Sequence, residues 1–347
     1  MACNMSEHPF LEDTLNVAWS RLSPEQARID IRLAIEQAKA AVESICQVES
    51  PTYENTFAAL EESGTALLRG WQRLNHLRSV MDAPELREVI NELMPEVVIY
   101  SSGVTLNPRL YAVLKKAAAM PWAAEVSPVK QRFMQETLAD FRENGADLSD
   151  EDKVRYTEIS TKLAQLSQQF GEKVLDATNA WEYVTADESE LAGLPASALA
   201  NARQDALSKG YGSEDAPQWR FTLQATSVQP VLTFADNEAL RSRVWHAFNA
   251  RGTGEYDTQA IIHEILALRA EKAAMLGYES CSDYVTSRRM AGSGATALRF
   301  TDDLHAKVLA AFRAEQEAIR RFAEDKIGTA MPIMKPWDVG YWSEKLR

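Results

Sequence analysis

His263-Glu264 lies in the apolar run Ile261-Ile-His-Glu-Ile-Leu-Ala-Leu268, which has the texture of a helix. A zinc-hydrolase helix of the HExxH kind needs two imidazoles four residues apart on one face, with the glutamate between them activating water. Position 267 is alanine, so the second ligand is absent and the pair reads as an ordinary helix face. His8, His76, His246 and His305 add no pair at metal-ligand spacing. Gly292-Ser293-Gly294 lacks the outer glycine of a nucleophile elbow and follows no strand, so it reads as a joint between helices. No phosphate-binding loop occurs, and Arg288-Arg289 and Arg320-Arg321 read as solvated helix faces. From residue chemistry alone, no catalytic, metal-binding or cofactor-binding residue is expected in the chain.

The elements around these residues are helical. Ser23-Pro24-Glu25 is a helix start, a hydroxyl cap followed by proline at the first helical position. Ala27, Ile31, Ile35, Ala38, Val42 and Ile45 then recur at helical spacing and form one apolar stripe. A second helix is expected from about Glu54 to Met81. Pro84 opens a third, which Pro95 should kink. Asn107-Pro108 and Ser127-Pro128 open two more, and Gly145 closes the second of these. Ser149 before Asp150, Glu151 and Asp152 is a strong start for a helix reaching about Ala177. Leu194-Pro195 starts a short helix ending near Gly210, and helices resume at Asp236, Asp257 and Ser282. Between them, the alternation in Trp219–Leu223 and the run Val231–Phe234 read as a two-stranded β element at 219–235. The expected fold is all-α, mainly long antiparallel helices, with that one small hairpin-like element. The expected domains are a helical lobe over 1–183 and a second helical segment over 184–347.

Composition narrows the function. The 37 basic and 50 acidic residues leave a net charge of −13, which repels phosphate backbones and argues against nucleic acid. Gly 15 and Pro 13 fall below the average share of about 12%, which favours long helices over many short strands. No apolar run approaches the roughly 18 residues a membrane span needs. Residues 1–10 carry Glu7 and His8 and no apolar core, so a signal peptide is not expected. Cys3, Cys46 and Cys281 are odd in number and widely spaced, which fits a reducing cytoplasm.

A set of local strings, in order along the chain, resembles the thimet oligopeptidase and oligopeptidase A group of zinc metallopeptidases. They begin with Tyr53-Glu54-Asn55-Thr56, His76-Leu77-Arg78-Ser79-Val80 and Pro84-Glu85-Leu86-Arg87-Glu88. Val174-Leu175-Asp176-Ala177-Thr178 with Trp181, and Glu190-Leu191-Ala192-Gly193, follow. Asp236-Asn237 with Ala239-Leu240-Arg241, and Glu264-Ile265-Leu266-Ala267-Leu268-Arg269, come next. The last are Leu276-Gly277-Tyr278-Glu279 and Pro336-Trp337-Asp338 with Tyr341 and Ser343-Glu344-Lys345. Gly252–Thr258 departs from the family pattern by being shorter, and Asn237-Glu238 stands where the family has Asn-Arg.

The resemblance implies an almost wholly helical fold whose two lobes flank a channel for short peptides. It also implies zinc chemistry from an HExxH lobe lying beyond the Pro-Trp-Asp segment, so no family catalytic or zinc ligand maps onto this chain. The expectation is a non-catalytic, N-terminal part of an oligopeptidase A-like zinc metalloendopeptidase, inactive by itself, whose partner is the missing catalytic lobe. The chain stops at Arg347 inside a helix carrying Trp337, Tyr341 and Trp342, which reads as an aromatic surface awaiting a partner or a homodimer. The alternative is a stand-alone truncated paralogue that binds peptides or regulates a relative.

Overall fold

The computed structural model describes residues 7–347, so Cys3 and the first part of the leader reading lie outside the described residues. The helices are α1 (Pro24–Cys46), α2 (Ala59–Ser63), α3 (Thr65–Val80), α4 (Pro84–Thr105), α5 (Pro108–Ala118), α6 (Pro128–Glu143) and α7 (Asp150–Ala180). Strand β1 (Glu182–Thr185) precedes α8 (Ala196–Ser208), and β2 (Trp219–Thr222) precedes α9 (Ala225–Phe234). Then come α10 (Glu238–Asn249), α11 (Gln259–Met275), α12 (Cys281–Thr286), α13 (Gly294–Ile327) and α14 (Pro336–Leu346). The architecture is mainly all-α, as the sequence implies. No helix among the described residues is long and apolar enough to cross a membrane.

Capping chemistry sets the helix starts. Ser23 Oγ accepts from Gln26 N–H at 3.2 Å, and Asn107 Oδ1 from the N–H groups of Arg109 (3.0 Å) and Leu110 (3.1 Å). Ser127 and Ser149 cap α6 and α7 in the same way. Each cap satisfies an orphan donor of the first turn, worth about 1 kcal/mol. The expected helix over 54–81 is instead interrupted. It opens with a wide π-type turn, Ala58 N–H donating to the Tyr53 carbonyl at 3.0 Å, and breaks at Ser63-Gly64, two poor helix formers. α4 runs on through Pro95.

The chain forms two compact units, Met1–Ser167 with Ile265–Tyr284, and Gln168–Glu264 with Val285–Arg347. In the first, the α1 stripe is wholly buried from Ala27 to Ile45. Ile31, Ala34 and Ile35 pack with Leu74, Val89, Ile90 and Leu93 of α3 and α4, and Val42 and Ile45 with Leu110 and Leu114 of α5. Asp30, fully buried on α1, accepts hydrogen bonds from Phe10 N–H (3.0 Å) and Gln26 Nε2 (2.7 Å) and contacts His8 Nδ1 at 2.7 Å. Arg73 holds the carbonyls of Pro9 and Phe10 at 3.0 Å, so the segment before α1 is stitched to the helices by polar groups at its ends and by Phe10 in the core. Arg155 on α7 grips Glu271 on α11 through two bonds of 2.7 and 2.9 Å. Next to it, Lys272 Nζ lies 4.3 Å over the Tyr156 ring.

The second unit contains the small sheet, and here the sequence reading is corrected. β2 pairs antiparallel with β1, Glu182 opposite Thr222 and Thr185 opposite Trp219. The run Val231–Phe234 is not a strand. It closes α9, whose Val228 and Val231, with Ala235 just beyond it, are buried at helical spacing against Trp219, Phe221 and Leu223. A short apolar run has no period of its own, so it cannot tell buried strand from buried helix. Its neighbours decide, and full burial of a side chain such as Val231 contributes about 1.5–3 kcal/mol either way.

The terminal helix differs from its expectation too. Tyr341 is buried and Trp337 and Trp342 are half-buried, because α9, α10 and α13 of the same unit cover the aromatic face of α14. Trp337 packs on Trp245 at 5.6 Å between ring centres, and Trp342 on Phe322 at 6.3 Å.

Candidate functional site

His263 and Glu264 fall on α11 with both side chains exposed, and Ala267 is exposed beside them. His76 packs against Trp19, His246 against Trp245 and Trp337, and His8 against Asp30. Among the described residues no group of three or more His, Cys, Asp and Glu is placed to hold a metal ion. The donor set of the described residues therefore does not fit zinc. Cys46 and Cys281 are unbridged.

What the structure does bring together is a pair of strings far apart in sequence. Arg241 on α10 donates through Nη2 to Asp338 Oδ1 on α14 at 2.5 Å, both side chains less than 5% exposed. Its Nη1 holds the carbonyls of Ala235 (2.7 Å) and Asp236 (3.1 Å), and its guanidinium stacks 4.1 Å over Tyr341. Tyr341 Oη donates to Asp236 Oδ1 at 2.7 Å, and Lys345 Nζ reaches the same oxygen at 3.1 Å. Burial raises the Asp338 carboxyl above its ordinary value, with Arg241 opposing. The Tyr341 hydroxyl and then Lys345 hold Asp236 below its own. The cluster fixes α14 to α10 and to the link between α9 and α10. It is a clamp, without a free acid, base or nucleophile.

The more open chemistry lies beside β2. Arg220, nine-tenths buried, donates from Nε to Glu182 at 2.6 Å and from Nη1 to Asp205 on α8 at 2.5 Å. Tyr211 Oη also donates to Glu182, and these two bonds, that of Tyr211 first, keep the Glu182 carboxyl below its ordinary value. A cleft of about 190 Å³ opens between α8, β2 and the start of α9, lined by Asn201, Asp205, Arg220, Thr222 and Ser227 over an apolar floor that includes Ala198 and Phe221. Sequence reasoning missed this cluster. Its charges stand 15 and 38 residues apart with no spacing rule, and only the pairing of β1 with β2 brings them together. The sole available sign was an arginine within the alternating run Trp219–Leu223.

The short Gly252–Thr258 loop closes on itself. Thr258 is buried, and its N–H (2.9 Å) and hydroxyl (3.1 Å) both reach the Gly252 carbonyl. Gly252 takes φ +79°, a conformation other residues adopt at a cost. Alongside, Trp181, Leu223, Arg251 and Tyr256 line a second, mainly apolar cleft of about 340 Å³.

Known proteins resemble the chain over nearly its whole length. Residues 231–347 match the model of peptidase family M3, and residues 31–153 that of the neurolysin/thimet oligopeptidase N-terminal domain. Oligopeptidase A of Haemophilus influenzae is 33% identical over 336 residues, 94% of this chain and 48% of that protein. Oligopeptidase A of Escherichia coli is 32% identical over 334 residues, 94% of this chain and 48% of that protein. The probable cytosolic oligopeptidase A of Arabidopsis thaliana is 31% identical over 350 residues, 99% of this chain and 49% of that protein. The chain spans about half the length of the curated relatives it matches.

Proposed function

The chain belongs to the oligopeptidase A/thimet oligopeptidase family, and from that premise we propose that its 347 residues form a non-catalytic, substrate-restricting part of a zinc metalloendopeptidase acting on short peptides. One observation carries the reading. The relationship runs along nearly the whole chain, yet no HExxH occurs in it, and two of the strings that carry the resemblance meet in the Arg241–Asp338 clamp. Their task here is to hold helices in place. Hydrolysis is assigned to a separate lobe, whose zinc and base lie outside these residues. Further support comes from α13, where Leu298, Phe300, Leu304, Val308 and Phe312 stand about half or more exposed. Apolar patches of that kind mark contact with further polypeptide. A cytoplasmic setting belongs to the same reading.

The test is cleavage of a short quenched-fluorescence peptide by the purified chain with added zinc, with and without chelator. No turnover above buffer is expected. Chelator-sensitive turnover that purifies with the chain would overturn the reading. Restored turnover on mixing with a polypeptide carrying the second half of a relative would support it.

A second reading, a peptide-binding or regulatory module, is favoured by the seating of α14 on its own unit through Tyr341. Fluorescence anisotropy with labelled short peptides separates the two: saturable binding by the chain alone favours the module, and binding only alongside the second half favours the wall.

A further inference from the structure

The cleft beside β2 has a charge pattern that the peptide-channel reading does not use. Arg220 stands between two carboxylates, Glu182 and Asp205, so the cluster carries one excess negative charge. A bare anion is repelled there. Two kinds of group open to solvent and without a protein partner nevertheless lie at the cleft, on Arg220 and at the start of α9. Among the described residues, the Nη2 group of Arg220 donates to nothing, and neither do the backbone N–H groups of Ala225 and Thr226 in the first turn of α9, whose Gln224 supplies no side-chain cap. A helix N-terminus with free amides favours a carboxylate. Next to Arg220, the Oδ1 atom of Asp205 accepts no hydrogen bond among the described residues, and its side chain is 40% exposed. Asn201, Thr226 and Ser227 add neutral hydrogen-bonding groups to the lining.

We propose that this cleft binds a small zwitterion of amino-acid size, its carboxylate taken by Arg220 and the α9 N-terminus and its ammonium by Asp205. Paired poles satisfy the site where either charge alone would leave one unmatched. The volume, about 190 Å³, is below the roughly 300–1,000 Å³ of pockets for larger ligands and limits the guest to one small residue. Ala198, Ala202 and Phe221 make an apolar floor for its side chain. The site stands whether or not the chain walls a peptide channel.

L-alanine is the probe, with acetate and ethylammonium each carrying one of its poles. Binding is followed by calorimetry and by amide shifts of Thr222–Ser227. Alanine is expected to bind in the millimolar range, at least about tenfold more tightly than either single-pole probe. Ala198→Leu fills the cleft without touching an ion pair and is expected to abolish binding at unchanged thermal stability. Asp205→Asn is expected to bring alanine down to the affinity of acetate. Alanine binding no better than acetate or ethylammonium, or binding unchanged in Ala198→Leu, would overturn the proposal.

Discussion

Arg241 and Asp338 are separated by 97 residues and meet at 2.5 Å with almost no solvent contact. The pair joins α10 to α14, and Arg241 carries a further burden, since its Nε is buried without a partner among the described residues. Removing one member of such a pair strands the other charge. Asp338→Leu and Arg241→Met are each expected to cost about 3–5 kcal/mol, and the double variant to recover most of that. Urea unfolding followed by tryptophan fluorescence measures this. Single variants within about 0.5 kcal/mol of the parent would show that the pair does not hold α14.

Asp236 makes α14 sensitive to acid. Its carboxyl is held below the ordinary 3.8 by Tyr341 and Lys345. Its contribution is fully present above that ordinary value and is lost as pH falls through the lower, folded-state value. Asp236→Asn is therefore expected to lose less stability than the parent on acidification in this range. Melting temperature against pH gives the comparison, and parallel curves would contradict it.

Lys272 gives a slope of the same sign in the alkaline range, although its shift marks a cost and that of Asp236 a gain. Burial against Tyr156 lowers its ammonium below the ordinary 10.5, so between the folded and unfolded values the unfolded chain binds more protons. Stability of the first unit rises with pH through that window. Lys272→Met is expected to raise the melting temperature at neutral pH and flatten the rise toward pH 10.5. A lower melting temperature would mean that the 3.2 Å bond from Lys272 to Ser160 outweighs the cost of burial.

Gly193 and Gly210 share a left-handed backbone, φ +85° and +81°, but not their surroundings. A Cβ on Gly193 would lie 2.3 Å from the Phe234 carbonyl oxygen, whereas one on Gly210 would meet nothing within 4 Å. Gly210→Ala is expected to cost about 1 kcal/mol from backbone strain, and Gly193→Ala about 2–4 kcal/mol, the difference being the collision. Chemical denaturation of both variants decides it, and equal losses would contradict the packing argument.

The helices were legible where the chain writes its own caps. Ser23, Asn107, Ser127 and Ser149 each accept the hydrogen bonds that their position implies, and the α1 stripe is buried as its spacing requires. Reading failed where tertiary neighbours choose. Val231–Phe234 has a strand's composition but is helical because Val228, Val231 and Ala235 together face the sheet. β1 escaped notice because Glu182–Thr185 follows α7 after a single residue, with no turn signal between. The functional reading behaved likewise: the missing imidazole at Ala267 was plain in the sequence, whereas the meeting of Arg220 with Glu182 and Asp205 depends on strand register and could not be read from spacing.

Neither unit is a continuous stretch of chain: the backbone passes from one to the other after Ser167, Glu264 and Tyr284. During synthesis the first unit cannot close until Ile265–Tyr284 has left the ribosome, on the order of ten seconds after Ser167 at roughly 5–20 residues per second. Until then the α7 residues around Tyr156 and Ser160 lack Lys272 and Glu271, and are candidates for chaperone capture. For the same reason, no single proteolytic cut can release either unit whole.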